Sequence, residues 1–301
     1  VSSAASDVYK RQVVNRHWQK FFGHGLVKTT EDFGSQGEKP SYPRLLDWLA
    51  AEFVESGWNV KALHKRIVMS ATYQQTAKAP AELYQRDPDN RLLARQSRFR
   101  VEAEIVRDLY LNAGGLIHHK LGGPTIHPQT PPSTEDLAYK YKTRWVVSDR
   151  PDRYRRGMYI HFKRTNPYPS LMIFDSPGSN VCLAERNRSN TPLQALTTLN
   201  DPVFFECAQA LGRRLASLDS TNDSRLQQAA LTSLSRPLAT DELAVLRQLH
   251  TEEVAWYRQH PQEASRVVGA FAAPDTPTHR TAAWIGVART LLNLDEFLTR
   301  D

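Results

Sequence analysis

Three carboxylates and a short run of cations are the residues in this sequence with the clearest means to do chemistry. Glu104 and Asp108 stand four apart in "RFRVEAEIVRDLYLNAGG", so on a helix they share one face. Two neighbouring carboxyls raise one another's proton affinity and can divide acid and base work. Arg100 and Arg107 fall within one turn of Glu104, which makes a salt-bridged ladder the competing use. Lys163 and Arg164 close the stretch "RRGMYIHFKRT", and Asp175 follows in "NPYPSLMIFDSPGSN". A Lys or Arg beside a lone carboxylate can hold an anionic or sugar-like ligand. The alternative there is a buried ion-pair network. The aromatic and proline residues of "NPYPSLMIF" are read in two ways as well, as ligand-stacking or as packed.

Arg188 and Asn190 lie just ahead of "TPLQALTTLNDP", which reads as helix punctuation. Thr191 should accept from the backbone N–H three residues on while Gln194 reaches back, and Pro192 suits the first helical position. Leu193, Leu196 and Leu199 are expected to supply its buried contacts. A helix N-terminus favours an anion, so Arg188 and Asn190 join the ligand-binding candidates with Lys163, Arg164 and Arg107. The catalytic candidates are Glu104, Asp108 and Asp175. No metal site is expected: His118, His119 and His127 sit in a Gly/Pro-rich loop without HxH or HExxH spacing and read as solvated, and His64 as a satisfied core histidine.

These residues need elements to hold them. "PRLLDWLAAEFVESG" starts on proline and stops at Gly57, with Leu45, Leu46, Leu49 and Phe53 on one stripe, and Asn59 caps the next helix. The pattern predicts a mainly α fold: a helical domain with a small β-hairpin over 144–165 and long Gly/Pro-rich loops. Residues 1–12 differ in character and are expected to be a non-native leader. The rest, 13–301, reads as a single helical domain, with any sub-boundary in the 115–142 loop, and as a fragment of a longer protein.

Hydrophobic residues are 40% and charged ones 24%, the balance of a globular protein with a sizeable core. No apolar run approaches the roughly 20 residues that cross a bilayer. The 39 Lys+Arg against 32 Asp+Glu leave +7, which favours polyanions. The arginines are scattered beside carboxylates, and no nucleic-acid module is present, so no specific nucleic-acid role is expected. Cys182 and Cys207 are two cysteines only, open to one bridge or to two ordinary buried thiols, and no CxxCH haem attachment occurs.

The long block "RRGMYIHFKRTNPYPSLMIFDSPGSNVCLAERNRSNTPLQALTTLNDPVF" resembles the signature of the planctomycete-type PSD-one domain (domain of unknown function fifteen-fifty-three). "VVNRHWQKFFGHGLVKTTEDFGSQGEKPSYPRLLDWLAAEFVESGWNVKALHKRIVMSATYQQ", "RFRVEAEIVRDLYLNAGGLI", "LGGP" and "LLNLDEFLTRD" extend the likeness over most of residues 13–301. It departs at Gly178-Ser179-Asn180, where many members carry an Arg-Glu pair. The resemblance implies the C-terminal, non-haem module of a secreted, extracytoplasmic cytochrome-c-type multidomain protein. Its haem c would lie in a further N-terminal domain, which would also be its partner. It implies binding or scaffolding linked to polysaccharide use. The alternative is a glycan-active hydrolase or redox enzyme using the carboxylates above.

Overall fold

The computed structural model describes residues 3–33, 36–131 and 145–300. The chain divides into two compact units: residues 1–99 with 182–186 and 299–301, and residues 100–181 with 187–298.

The first unit is built on three helices, α1 (Ser3–Phe22), α2 (Pro43–Glu55) and α3 (Val60–Val68), with a short α4 (Ala81–Arg86). Val14, Trp18 and Phe22 recur at helical spacing on α1 and bury against Leu46, Leu49 and Phe53 of α2 and Leu63 and Ile67 of α3. Local chemistry sets the ends. Pro43 opens α2, and the Asn59 side chain accepts the Ala62 N–H at 3.0 Å to start α3. Residues 7–12 continue α1, and Arg11 pairs with Asp47 of α2 at 2.7 Å. His64 hydrogen-bonds His17 across 2.9 Å, and burial holds both imidazoles below the usual range. Cys182 belongs to this unit, exposed and unbridged.

The second unit centres on α5 (Ala103–Gly114), α8 (Pro202–Ala216) and α12 (Thr278–Leu292). Around them lie α6 (Pro169–Ile173), α7 (Pro192–Asn200), α9 (Asn222–Leu234), α10 (Thr240–Gln259), α11 (Pro261–Val268) and α13 (Asp295–Leu298). Val106, Tyr110 and Leu111 of α5 meet Phe204, Cys207 and Leu211 of α8 and Trp284, Val287 and Leu291 of α12 in one apolar core. Cys207 is a free thiol at full burial, which pushes its proton affinity up and leaves it a small apolar side chain.

The mainly α expectation holds, with the strand content of the described residues confined to a two-stranded antiparallel sheet, β1 (Phe99–Arg100) with β2 (Thr299–Arg300). The hairpin does not fall at 144–165. The described part of that stretch forms two 3-10 turns, Asp152–Tyr154 and Gly157–Tyr159. Its buried positions are Tyr154, Arg155, Gly157 and Ile160, a spacing that no two-residue alternation produces. What pins it is distant chemistry. The Arg155 side chain is 0% exposed and donates to the carbonyls of Gly122 and, at 2.8 Å, Pro124, with Tyr159 beneath its guanidinium at 3.9 Å. Ile126 and Ile160 then meet in an isolated parallel bridge.

Candidate functional site

The α5 carboxylates are held by the turn laid across them. Asp108 accepts the Gly157 backbone N–H at 2.6 Å and the Arg156 Nε–H at 3.3 Å. A Cβ on Gly157 would sit 2.7 Å from the Glu104 carbonyl oxygen, so only glycine lets the turn come this close to α5. Glu104 and Asp108 do share this side of the helix, and Asp108 acts there as a backbone anchor.

Arg107, one turn from Glu104 on α5, is 3% exposed. Its Nη2 donates to the Arg153 carbonyl at 2.6 Å, while Nε and Nη1 find no partner. Its cation favours ionised Asp201, yet burial dominates and pushes that carboxyl up to about 6. Asp201 caps α8 by accepting the Val203 N–H at 2.9 Å. One turn on, Glu206 is buried and accepts from Arg150 (2.9 Å), Arg153 (2.7 Å) and the Tyr154 hydroxyl (2.7 Å).

Asp175 stands in the left-handed region at φ 62°, a conformation that non-glycine residues adopt only under constraint. The constraint is Ser189, whose N–H and hydroxyl both donate to one Asp175 oxygen at 2.7 Å. The next link is Gln194, 1% exposed. Its amide nitrogen donates to the Ile173 carbonyl (2.9 Å) and Ser189 Oγ (3.1 Å), and its oxygen accepts from Arg100 Nη1 at 2.8 Å. The same Arg100 nitrogen donates to Asn190 Oδ1 at 2.5 Å, and Asn190 Nδ2 donates to Asp295 at 3.3 Å. Asp175, Asn190 and Gln194 are therefore brought into one network that also holds Arg100 and Ser189.

This reverses the expected face of α7. Thr191 caps the helix as anticipated, accepting the Gln194 N–H at 3.3 Å, but the Gln194 side chain does not reach back to close a capping box. Gln194 and Thr198 are the buried residues, and Leu193 and Leu196 are 57% and 55% exposed. The inward face is polar because Arg100, Ser189 and Asn293 offer it hydrogen bonds, the last through Thr198 Oγ1 at 2.5 Å. Lys163 is half-buried and Arg164 exposed, and neither makes an ion pair among the described residues. Arg188 is half-buried and partnered.

His127 lies beside His161 and Trp145, with ring centroids 4.9 and 4.7 Å away. Among the described residues no group of three His, Cys, Asp or Glu is placed to hold a metal ion, and no helix is long and apolar enough to cross a membrane. In "NPYPSLMIF", Tyr168 is packed, giving its hydroxyl hydrogen to the Gln129 carbonyl at 2.7 Å, with Trp145 stacked on its ring.

Fold and site together define a helical protein whose polar side chains chiefly fix loops against helices. The family model described as PSD1, protein of unknown function (DUF1553), matches residues 1–250, and the chain belongs to that family. No curated protein and no solved structure matches it.

Two features have no prominence in the sequence. Gln194 occupies a position that capping explains by itself. Arg155 is one of several arginines in "RPDRYRRG", and its burial follows only from the Gly122 and Pro124 carbonyls some thirty residues earlier.

Proposed function

We propose that this chain is a binding or scaffolding module of a longer, extracytoplasmic planctomycete-type protein carrying c-type haem, and that its ligand is a polysaccharide. The observation that carries the reading is the use made of the two central carboxylates. Asp108 accepts from the Gly157 N–H and Asp175 from the Ser189 N–H, so both serve as backbone anchors. A glycosidase needs two carboxyl groups free to face a sugar. The cations are arranged differently: Lys163 and Arg164 make no ion pair among the described residues, and the chain carries +7 overall. That favours an anionic glycan.

Affinity electrophoresis of the whole chain through dextran sulfate and through unsulfated dextran tests this. Retardation by dextran sulfate should be strong at low salt, weaker at moderate salt, and reduced in the Lys163→Ala, Arg164→Ala double variant. Retardation by neither polymer overturns the polysaccharide assignment, and capture by a c-type haem domain alone replaces it with scaffolding. Release of reducing ends that is lost in Asp108→Asn or Asp175→Asn replaces it with a hydrolase.

A further inference from the structure

The second unit contains a cavity that the sites above do not use. It measures about 370 Å3 and is lined by Leu199 of α7, Glu253 and Tyr257 of α10, Val267 of α11, Arg289 of α12 and Asn293 just beyond it. That volume is within the roughly 300–1,000 Å3 of small-molecule sites. Part of its wall lies beyond residue 250, outside the stretch matched by the family model.

Two of its polar groups are only partly paired. Glu253 Oε2 is buried and accepts no hydrogen bond. Arg289 gives one Nη2 hydrogen to the Leu199 carbonyl at 3.2 Å, while its buried Nε has no acceptor and no carboxylate among the described residues pairs with it. The Phe205 ring, 5.2 Å from the guanidinium, contributes only its π face. Buried polar groups without partners are costly, and native folds keep few of them.

The backbone is shaped to seat Glu253 in this position. A Cβ on residue 286 would overlap Glu253 Oε2, so the carboxyl occupies the space that any side chain other than the hydrogen of Gly286 would fill. A glycine inside a helix is less stable there than alanine. α12 carries that cost, and its result is a carboxyl pressed against the helix in a half-open cavity.

The cavity geometry points to a small-molecule site: we propose that it binds a monocarboxylate with an apolar body. The ligand carboxylate accepts from the Arg289 guanidinium and from the protonated Glu253 carboxyl, while Leu199, Val267 and the Tyr257 ring enclose its apolar part. The charge supports one negative group. Burial pushes the Glu253 carboxyl up to about 7, against the lowering effect of Arg289. With Glu253 neutral, the unpaired guanidinium is left as an uncompensated cation.

The other titratable groups around Glu253 are few. Tyr257, one turn along α10, has its hydroxyl proton affinity raised by burial and then by Glu253 itself. On α11, Glu263 is held by Arg266 at 2.7 Å. α7 and the chain after α12 contribute Leu199, Asn293 and Leu294, none of which titrates.

The test uses the full chain and benzoate, with benzamide as the uncharged isostere and inorganic phosphate as the competing anion. Benzoate should bind by calorimetry at pH 6, and benzamide and phosphate should not. Binding that requires protonated Glu253 weakens about tenfold from pH 6 to pH 8, because the competent fraction falls by that factor. Glu253→Gln keeps a neutral donor and should bind benzoate with the same affinity at both pH values. Arg289→Met should lose binding, with a circular dichroism spectrum and melting temperature taken as the check on folding. The inference is overturned if benzoate fails to bind at pH 6. It is equally overturned if affinity is independent of pH in the unmodified chain, if phosphate or benzamide binds as well, or if folded Arg289→Met retains benzoate.

Discussion

Gln194 and Glu253 are polar residues in the same unit, and they are treated in opposite ways. Gln194 is buried with its donors and acceptor satisfied by Ile173, Ser189 and Arg100. Glu253 is half-buried beside an arginine with which it forms no ion pair, and one of its oxygens has no donor. The first arrangement fixes Ile173 and Ser189 against α7 and leaves nothing for a ligand to complete. The second leaves the Glu253 carboxyl and the Arg289 guanidinium with hydrogen-bonding capacity for a ligand to use. Full satisfaction leaves a ligand nothing to add, whereas a deficit that lines a cavity leaves it room to bind.

The sharpest way to probe the contrast is through a third carboxyl, Asp201, which shares raised proton affinity with Glu253 but caps a helix. Its folded value, about 6, lies above the unfolded value near 4, so the folded chain holds the extra proton between those limits. Stability from this source is complete below about pH 4 and is lost as pH rises through 6. The loss is about 3 kcal/mol, since each tenfold difference in proton affinity between the folded and unfolded chain is worth about 1.4 kcal/mol. Urea unfolding from pH 4 to pH 7 should show that decline, and Asp201→Asn should flatten it. An unchanged slope in the variant would assign the decline to another group.

On the satisfied side, Gln194→Ala should cost about 2–3 kcal/mol, because it strands the Ile173 carbonyl and removes an acceptor from Arg100. A cost below about 0.5 kcal/mol in denaturant unfolding, the size of an ordinary surface change, would dissolve the contrast. Asp175→Asn should cost less, about 1–2 kcal/mol, because asparagine still accepts from Ser189 but without charge. A larger loss would make Asp175 half of a buried ion pair, which its bonds to Ser189 do not indicate. The smallest effect is expected at the cavity. Glu253→Gln at pH 8 should leave stability unchanged or raise it by up to about 1 kcal/mol, since a carboxyl held without a donor is replaced by a neutral amide. A clear loss would mean that Glu253 supports the fold.

The division between what can and cannot be read in advance follows sequence separation. Asn59 capping α3, Pro43 opening α2 and Thr191 capping α7 involve residues within three positions of one another, and local pattern suffices for each. The face that α7 buries depends on Arg100, 94 residues from Gln194, so Leu193 and Leu196 mislead. The stretch at 145–165 alternates like a hairpin, but Asp108 and the Gly122 and Pro124 carbonyls draw it into turns from 31 to 49 residues away. Spacing alone puts Glu104 and Asp108 on one helix face, while the anchoring use of Asp108 depends on a glycine 49 residues on. The cavity needs Glu253, Gly286 and Arg289 from two helices to converge, and no local pattern announces that.

The buried Arg155 has a consequence for how the second unit opens. One side chain ties the Gly122 and Pro124 carbonyls, and the neighbouring Ile126–Ile160 bridge joins the same two segments. Amides from 118 to 126 and from 154 to 161 should therefore exchange with deuterium as a single cooperative unit. Arg155→Lys, which keeps the charge but loses the fork that spans two carbonyls, should bring both segments to the faster rate together.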